Sequence, residues 1–161
     1  MLAADQLLGN EWLEIAARLL LAAAIGGVCG WEREKVGRAA GLRTHMMVAI
    51  GSAGFTMLGI ELLGGGSGGA ANSQYDPTRV LAGIVTGIGF LGAGTIIQTG
   101  GKVTGLTTAA GLWTVAAAGA ASGAGAYRLA MVLAAFTVVV LAVLKVVEHR
   151  WFATKRDSDS G

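Results

Sequence analysis

LAGIVTGIGFLGAGTIIQTGGKVTGLTTAAGLW, residues 81–113, is apolar, dense in glycine and carries one formal charge, Lys102. In water it would make poor helices, because an interior glycine costs about 1 kcal/mol relative to alanine. In a bilayer the balance changes. The backbone must satisfy its own hydrogen bonds, and small residues let helices approach closely. The stretch therefore predicts two membrane helices, Val80 to about Ile97 and about Thr104 to Ala121, folded tightly at Gly100-Gly101-Lys102. Gly83, Gly87, Gly89, Gly92, Gly94 and Gly105, with Trp113, are the expected packing positions. Gly83 and Gly87 are spaced as G-x-x-x-G, as are Gly26 and Gly30.

The rest of the chain agrees with a membrane class. Of 161 residues, 53% are apolar and 14% charged, against about 25% charged in soluble domains. The mean hydropathy is +0.62. The 27 glycines come with one proline, and the hydrophobicity excludes collagen and flexible linkers. A single cysteine, Cys29, excludes an internal disulfide and a cysteine-based metal site. No secretory signal pattern is present, since the first apolar run ends in Trp31-Glu32-Arg33-Glu34.

Three more spans follow from hydropathy. Trp12 to Trp31 covers roughly 28 Å, near the hydrocarbon thickness, after a short lead over Met1 to Asn10. Glu14 and Arg18 are four apart on one face and can pair. Leu42 to Leu63 is the second span, and a Gly/Ser/Ala/Asn loop, Gly64 to Gln74, follows it. Asp76 and Pro77 read as cap and first position of the third helix. The fifth span, Tyr127 to about Val147, lacks glycine. The expected fold is an all-α polytopic membrane bundle of about five helices over residues 1–150, with a polar tail over 151–161. Arg33, Lys35, Arg38, Arg43, Lys102 and the C-terminal Lys145, Arg150, Lys155 and Arg156 fall on one side. Arg79 and Arg128 fall on the other. The positive-inside rule places the N-terminus outside and the C-terminus in the cytoplasm.

A weak repeat links two corners. Gly37-Arg38-Ala39-Ala40-Gly41-Leu42-Arg43-Thr44 parallels Gly101-Lys102-Val103-Thr104-Gly105-Leu106-Thr107-Thr108. Helices entered at Leu42 and Leu106 would direct their N-terminal dipoles to the same mouth, where they favour anions or carboxylates. Glu32 and Glu34 can serve the first copy, and Ile96 and Gln98 replace them in the second.

Catalytic patterns are missing. Gly87-Ile88-Gly89-Phe90-Leu91-Gly92 matches G-x-G-x-x-G, but no acidic residue follows about 20 positions later, as a dinucleotide site needs. His45 and His149 stand at span ends and read as solvated. Glu32 and Glu34 are candidate Mg²⁺ ligands, since magnesium takes one or two carboxylates and keeps its waters. Equally, the charges of Glu32 to Arg43 can neutralise one another. Trp113 is read chiefly as a packing residue that needs a partner for its N–H.

Gly30-Trp31-Glu32-Arg33-Glu34, Ala40-Gly41-Leu42-Arg43-Thr44, Asp76-Pro77-Thr78-Arg79, Gly87 to Gly94, and Gly105-Leu106-Thr107-Thr108-Ala109-Ala110 with Leu112-Trp113 occur in the order seen in the MgtC/SapB family of bacterial inner-membrane proteins, which the chain resembles over residues 12–147. The resemblance implies a non-enzymatic, multi-pass inner-membrane protein of magnesium homeostasis, linked in pathogens to survival in macrophages. It also implies a short, SapB-like member without the soluble C-terminal domain. The functional polar cluster expected is Glu32, Arg33, Glu34, Arg43, Thr44, Thr107 and Thr108, with Asp76 and Arg79 at the other end of the bundle. Asp76 is expected to cap its helix and hold Arg79. Expected partners are the lipid bilayer, further copies of the chain, and a membrane protein such as the ATP synthase. No nucleic acid is expected. Two function classes stay open, a regulatory interaction protein and a transporter or channel for Mg²⁺ or another small solute.

Overall fold

The computed structural model describes the backbone of residues 2–64, 76 and 78–156, and side chains over 10–62, 76 and 78–141. Five helices and one hairpin make up these residues. They are α1 (Leu2–Lys35), α2 (Leu42–Gly64), α3 (Thr78–Thr95), β1 (Ile97–Thr99), β2 (Lys102–Thr104), α4 (Leu106–Gly123) and α5 (Tyr127–Arg156). This is an all-α membrane protein. Asn10–Lys35, Leu42–Leu62 and Thr78–Thr95 are long and apolar enough to cross a bilayer. The loop expected over Gly64 to Gln74 lies largely outside the described residues, as do Pro77 and the last five residues of the tail. Residues 151–156, read as tail, continue α5 as helix. The lead before Asn10 likewise belongs to α1 from Leu2 onward.

The α3–α4 connection is a β-hairpin rather than a bare turn. Ile97 pairs with Thr104, Gln98 with Val103 and Thr99 with Lys102. The β-branched residues Ile96, Ile97, Val103 and Thr104 favour extended backbone. Between the strands Gly100 and Gly101 have φ of 57° and 81°, the two positive angles of a type I′ turn. Both flanking helices keep 18 residues but are displaced by two away from the hairpin, α3 ending at Thr95 and α4 starting at Leu106, because the middle of the apolar run is spent on strands.

The helix α4 is the hub. It packs against α1, α2, α3 and α5, and Leu112 and Val115 on it are fully buried. Its glycines set the closest approach. A Cβ on Gly119 would collide with the carbonyl oxygen of Ala49, and one on Gly123 with that of Ala53. On the same face of α2, nearer its N-terminus, a Cβ on Gly26 would stand 2.5 Å from the His45 carbonyl oxygen, and one on Gly30 would stand 2.8 Å from Leu42 Cα. Leu42, His45, Ala49 and Ala53 follow one helical stripe, so this one face of α2 meets Gly26 and Gly30 of α1 over its first turns and Gly119 and Gly123 of α4 further along.

The packing seam expected on α3 is displaced. Around Gly83, Gly87, Gly89 and Gly94 no other helix among the described residues comes within 4 Å of where a Cβ would be. Among the described residues, Gly92 alone of these α3 glycines meets a neighbour, Ala109 of α4. The physical reason is orientation. The α3 face that meets α4 runs through Ile88 and Gly92, and the other glycines point elsewhere. Trp113 is also half exposed, on the wall of an apolar cavity of about 460 Å³ shared with Ile88, Leu129 and Leu133.

Candidate functional site

The polar cluster forms where α1 ends. Gly37 at φ 65° closes the helix, with Gly37 N–H donating to Glu34 O and Arg38 N–H to Arg33 O, at 3.0 and 3.1 Å. That is a Schellman closure. Lys35 Nζ sits 5.0 Å from the centre of the Trp31 ring, an interfacial cation–π contact.

Arg33 turns inward and is 6% exposed. Its Nη2 donates to Thr108 Oγ1 at 2.9 Å, across 75 residues of sequence. Thr108 is 2% exposed, in the first turn of α4. Glu32 Oε2 lies 3.8 Å from Arg33 Nη1. Arg33 Nε has no hydrogen-bond partner among the described residues.

Glu34 takes a different direction. Leu42 N–H donates to its Oε2 at 2.9 Å, so this carboxylate serves the N-terminus of α2. It holds an otherwise unpaired backbone donor and complements the helix dipole. Glu32 and Glu34 are two apart on one helix, so their side chains diverge. Glu32 lies beside Arg33 and Glu34 serves Leu42 N–H, so the two carboxylates have different partners. Among the described residues no three His, Cys, Asp or Glu side chains converge on a point.

His45 was missed by sequence reasoning and is, with Arg33 and Thr108, the third buried polar residue of this region. It is not solvated. It is fully buried at the α1–α2–α4 junction, with Nδ1 2.9 Å from Gly41 O and Nε2 unpartnered among the described residues. The signal that could have found it is the ring of glycines around it. Gly26 and Gly30 abut its backbone and Cβ, and a Cβ on Gly111 would lie 3.6 Å from Nε2.

The other expected residues are dispersed. Arg43 and Thr44 are exposed on α2. Thr107 is exposed beside Thr108 and lines a pocket of about 220 Å³ with Arg33, Arg38, Thr95 and Thr104. Asp76 and Arg79 lie at the far end of α3, about 25 Å away along its 18 residues. Asp76 Oδ1 accepts from Thr78 N–H at 2.9 Å, the expected cap. Hydrogen bonding from the Thr78 hydroxyl and then from its N–H, with the Arg79 charge as a smaller cause, lowers the Asp76 pKa from its ordinary value. Arg79 meets Asp76 through the backbone, its N–H donating to Asp76 O at 3.0 Å, while no salt bridge between the two side chains occurs within 4.0 Å among the described residues.

At the opposite end of the bundle from Arg33, Glu14 pairs with Arg18 as their spacing predicts. Arg18 also donates to Gly123 O at 2.7 Å, and Ser122 Oγ donates to Arg18 O at 2.9 Å. This pair ties α1 to the end of α4.

A helical membrane protein whose buried Arg and His lie at one end of a small-residue bundle is the class these observations define. The chain belongs to the MgtC family, whose model matches residues 19–150. It is 42% identical over 144 residues to protein SrpB of Synechococcus elongatus, covering 84% of this chain and 78% of that one. It is 39% identical to the putative magnesium transporter YhiD of Escherichia coli over 81% of this chain and 60% of the relative. It is 46% identical to protein MgtC of Brucella abortus, again over 81% of this chain and 51% of the relative. The chain thus spans only about half to three quarters of these relatives. No solved structure matches it.

Proposed function

We propose that this chain is a non-enzymatic regulatory membrane protein of magnesium homeostasis, which works by binding a membrane partner rather than by conducting Mg²⁺. The magnesium link is supported by the family and by the name of the Escherichia coli relative. One observation carries the choice of class. The backbones of α1, α2 and α4 touch at Gly26, Gly30, Gly119 and Gly123, and Leu112 and Val115 fill the space between. Among the described residues, a strongly hydrated cation that gives up its waters reluctantly meets no continuous polar route from Arg33 to the Asp76 end.

The glycines of α3 supply a face for the partner. Gly83 and Gly87 border an apolar groove of about 650 Å³ between α2 and α3 that opens sideways. Close helix approach in lipid uses such small-residue faces. A second copy of the chain or a membrane complex such as the ATP synthase is the occupant. The protein sits in the bacterial inner membrane, with its N-terminus outside and the Arg33 end in the cytoplasm.

Transport is the alternative, favoured by the name of the Escherichia coli relative. Purified chain in liposomes carrying an internal Mg²⁺ dye separates the two. Uptake no faster than in protein-free vesicles is expected, and uptake above that background overturns the choice. In cells, Gly83→Leu with Gly87→Leu should insert normally and fail to restore growth in low magnesium. Full restoration would remove the α3 face from the proposal.

A further inference from the structure

We propose that the pocket between the end of α1, the hairpin and the start of α4 binds a phosphate group. The inference does not depend on the magnesium reading. The residues lining the pocket include two guanidinium side chains, Arg33 and Arg38, and no carboxylate. Glu32 approaches Arg33 from beside the pocket, at 3.8 Å, and offsets one of the two charges. The start of α4 adds to the remaining one. Its N-cap is Gly105, at φ 91°, and no side chain caps it. The first backbone N–H groups of a helix have no partner within the helix and carry the positive end of its dipole. Together these favour an oxyanion.

The second, independent observation is Arg33 itself. It lines this pocket, is more than nine-tenths buried, and its Nε lacks any hydrogen-bond partner among the described residues. A buried guanidinium with an open donor is costly unless an acceptor meets it. Thr108 holds Nη2 and so fixes the plane of the fork. A guanidinium fork can hold two phosphate oxygens at once, whereas an ammonium group binds phosphate as a point charge. Thr104 and Thr107 add hydroxyls to the wall. The volume of about 220 Å³ is several water volumes of ~30 Å³ each. That is room for a phosphate and some of its hydration.

The α2 corner shows what is missing. There Glu34 brings a carboxylate from the chain itself to the Leu42 N–H. The corresponding position before α4 is Gln98, exposed on β1. An external anion takes the place of that carboxylate.

The phosphate has two sources, free inorganic phosphate and an anionic lipid headgroup, and one experiment reads both. The full chain is purified in neutral detergent and titrated calorimetrically with inorganic phosphate, with chloride at equal ionic strength as the control. In parallel, native mass spectrometry counts phosphatidylglycerol retained against phosphatidylcholine. Arg38→Gln is the informative variant, because Arg38 is exposed and its loss leaves the packing intact. Preferential binding of inorganic phosphate, weakened about tenfold in Arg38→Gln by loss of a charged hydrogen bond, supports the site with a free anion. Retention of phosphatidylglycerol, lost in the same variant, supports it with a lipid. Absence of both preferences, or a preference that Arg38→Gln and Thr107→Val leave unchanged, overturns it.

Discussion

The two corners, residues 34–44 and 98–108, share a sequence pattern and differ in what they do with it. Both lead into a helix through a glycine and a leucine, at Gly41-Leu42 and Gly105-Leu106. The first corner closes on itself. Gly37 ends α1, Glu34 crosses to the Leu42 N–H, and Arg43 and Thr44 are left exposed. The second corner is an exposed hairpin with no carboxylate. Its threonine at the position of Thr44 is Thr108, which is buried and holds Arg33 of the first corner. One copy is thus saturated by its own side chains, while the other is electrostatically unfinished and borrows a cation from its twin. Similar sequence at two corners does not make two equivalent sites. The neighbours decide which of them has donors to spare.

This contrast can be broken at graded cost. Gly105→Ala should be the most damaging change. The residue has φ 91° and its Cβ would collide with the Thr95 carbonyl oxygen, which is backbone and cannot swing away. A left-handed backbone alone costs an alanine roughly 1–2 kcal/mol, and the collision adds to it. Loss of folded, detergent-extractable protein is expected on size exclusion. Gly37→Ala, at φ 65° with nothing within 4 Å, should show only the backbone cost of roughly 1–2 kcal/mol and stay folded. Equal losses at the two positions would mean that the corners are equally constrained.

Thr108→Val comes next. It keeps the shape and removes the acceptor of a buried guanidinium, for about 1–3 kcal/mol, read as a lower melting temperature in detergent. An unchanged melt would remove the Arg33–Thr108 bond from the account of how the corners are joined. Glu34→Ala strips the carboxylate from the start of α2 and should cost about 1 kcal/mol. Gln98→Ala at the aligned position should cost close to nothing.

The smallest effect lies at the far end of α3. The Asp76 carboxyl is held below its ordinary pKa, chiefly by Thr78. The sign follows from that direction. Its contribution is complete above the ordinary carboxylate range and is lost as the pH falls through the lowered value, below about pH 4. Asp76→Asn should flatten that part of the melting-temperature profile, with a slightly lower melt at neutral pH that converges on the wild type in acid. A profile as steep as that of the wild type would assign the acid sensitivity to other carboxylates.

Much of this was legible from residue types. The Asp76 cap, the Glu14–Arg18 pair and the close approach at Gly26 and Gly30 need only short-range spacing, and the structure has all three. Arg33 was singled out among several charges, but Thr108 as its partner needs contact across 75 residues. Within the chain the contacts made by Gly119 and Gly123 against α2 were not among the expected packing positions, while Gly83 and Gly87 meet no neighbour among the described residues. His45 was read as solvated because it stands near a helix end. Its burial comes from two neighbouring helices that carry glycine where it sits.

Hydropathy and glycine content by themselves determined a helical membrane protein, the bounds of α2, α3 and α4 to within about two residues, and the end of the bundle where the charges gather, while α1 and α5 run well beyond their apolar spans. These are one-dimensional properties, set by transfer of side chains from water to lipid and by backbone hydrogen bonding within each segment. Tertiary structure alone decided which helix is the hub, which glycines touch, and which of two similar corners keeps a buried cation with a free donor. In lipid the outward face of a helix is as apolar as its inward face. The periodicity that marks the core of a soluble protein is therefore weak here, and only the packed helices show which side of α3 or α4 looks inward.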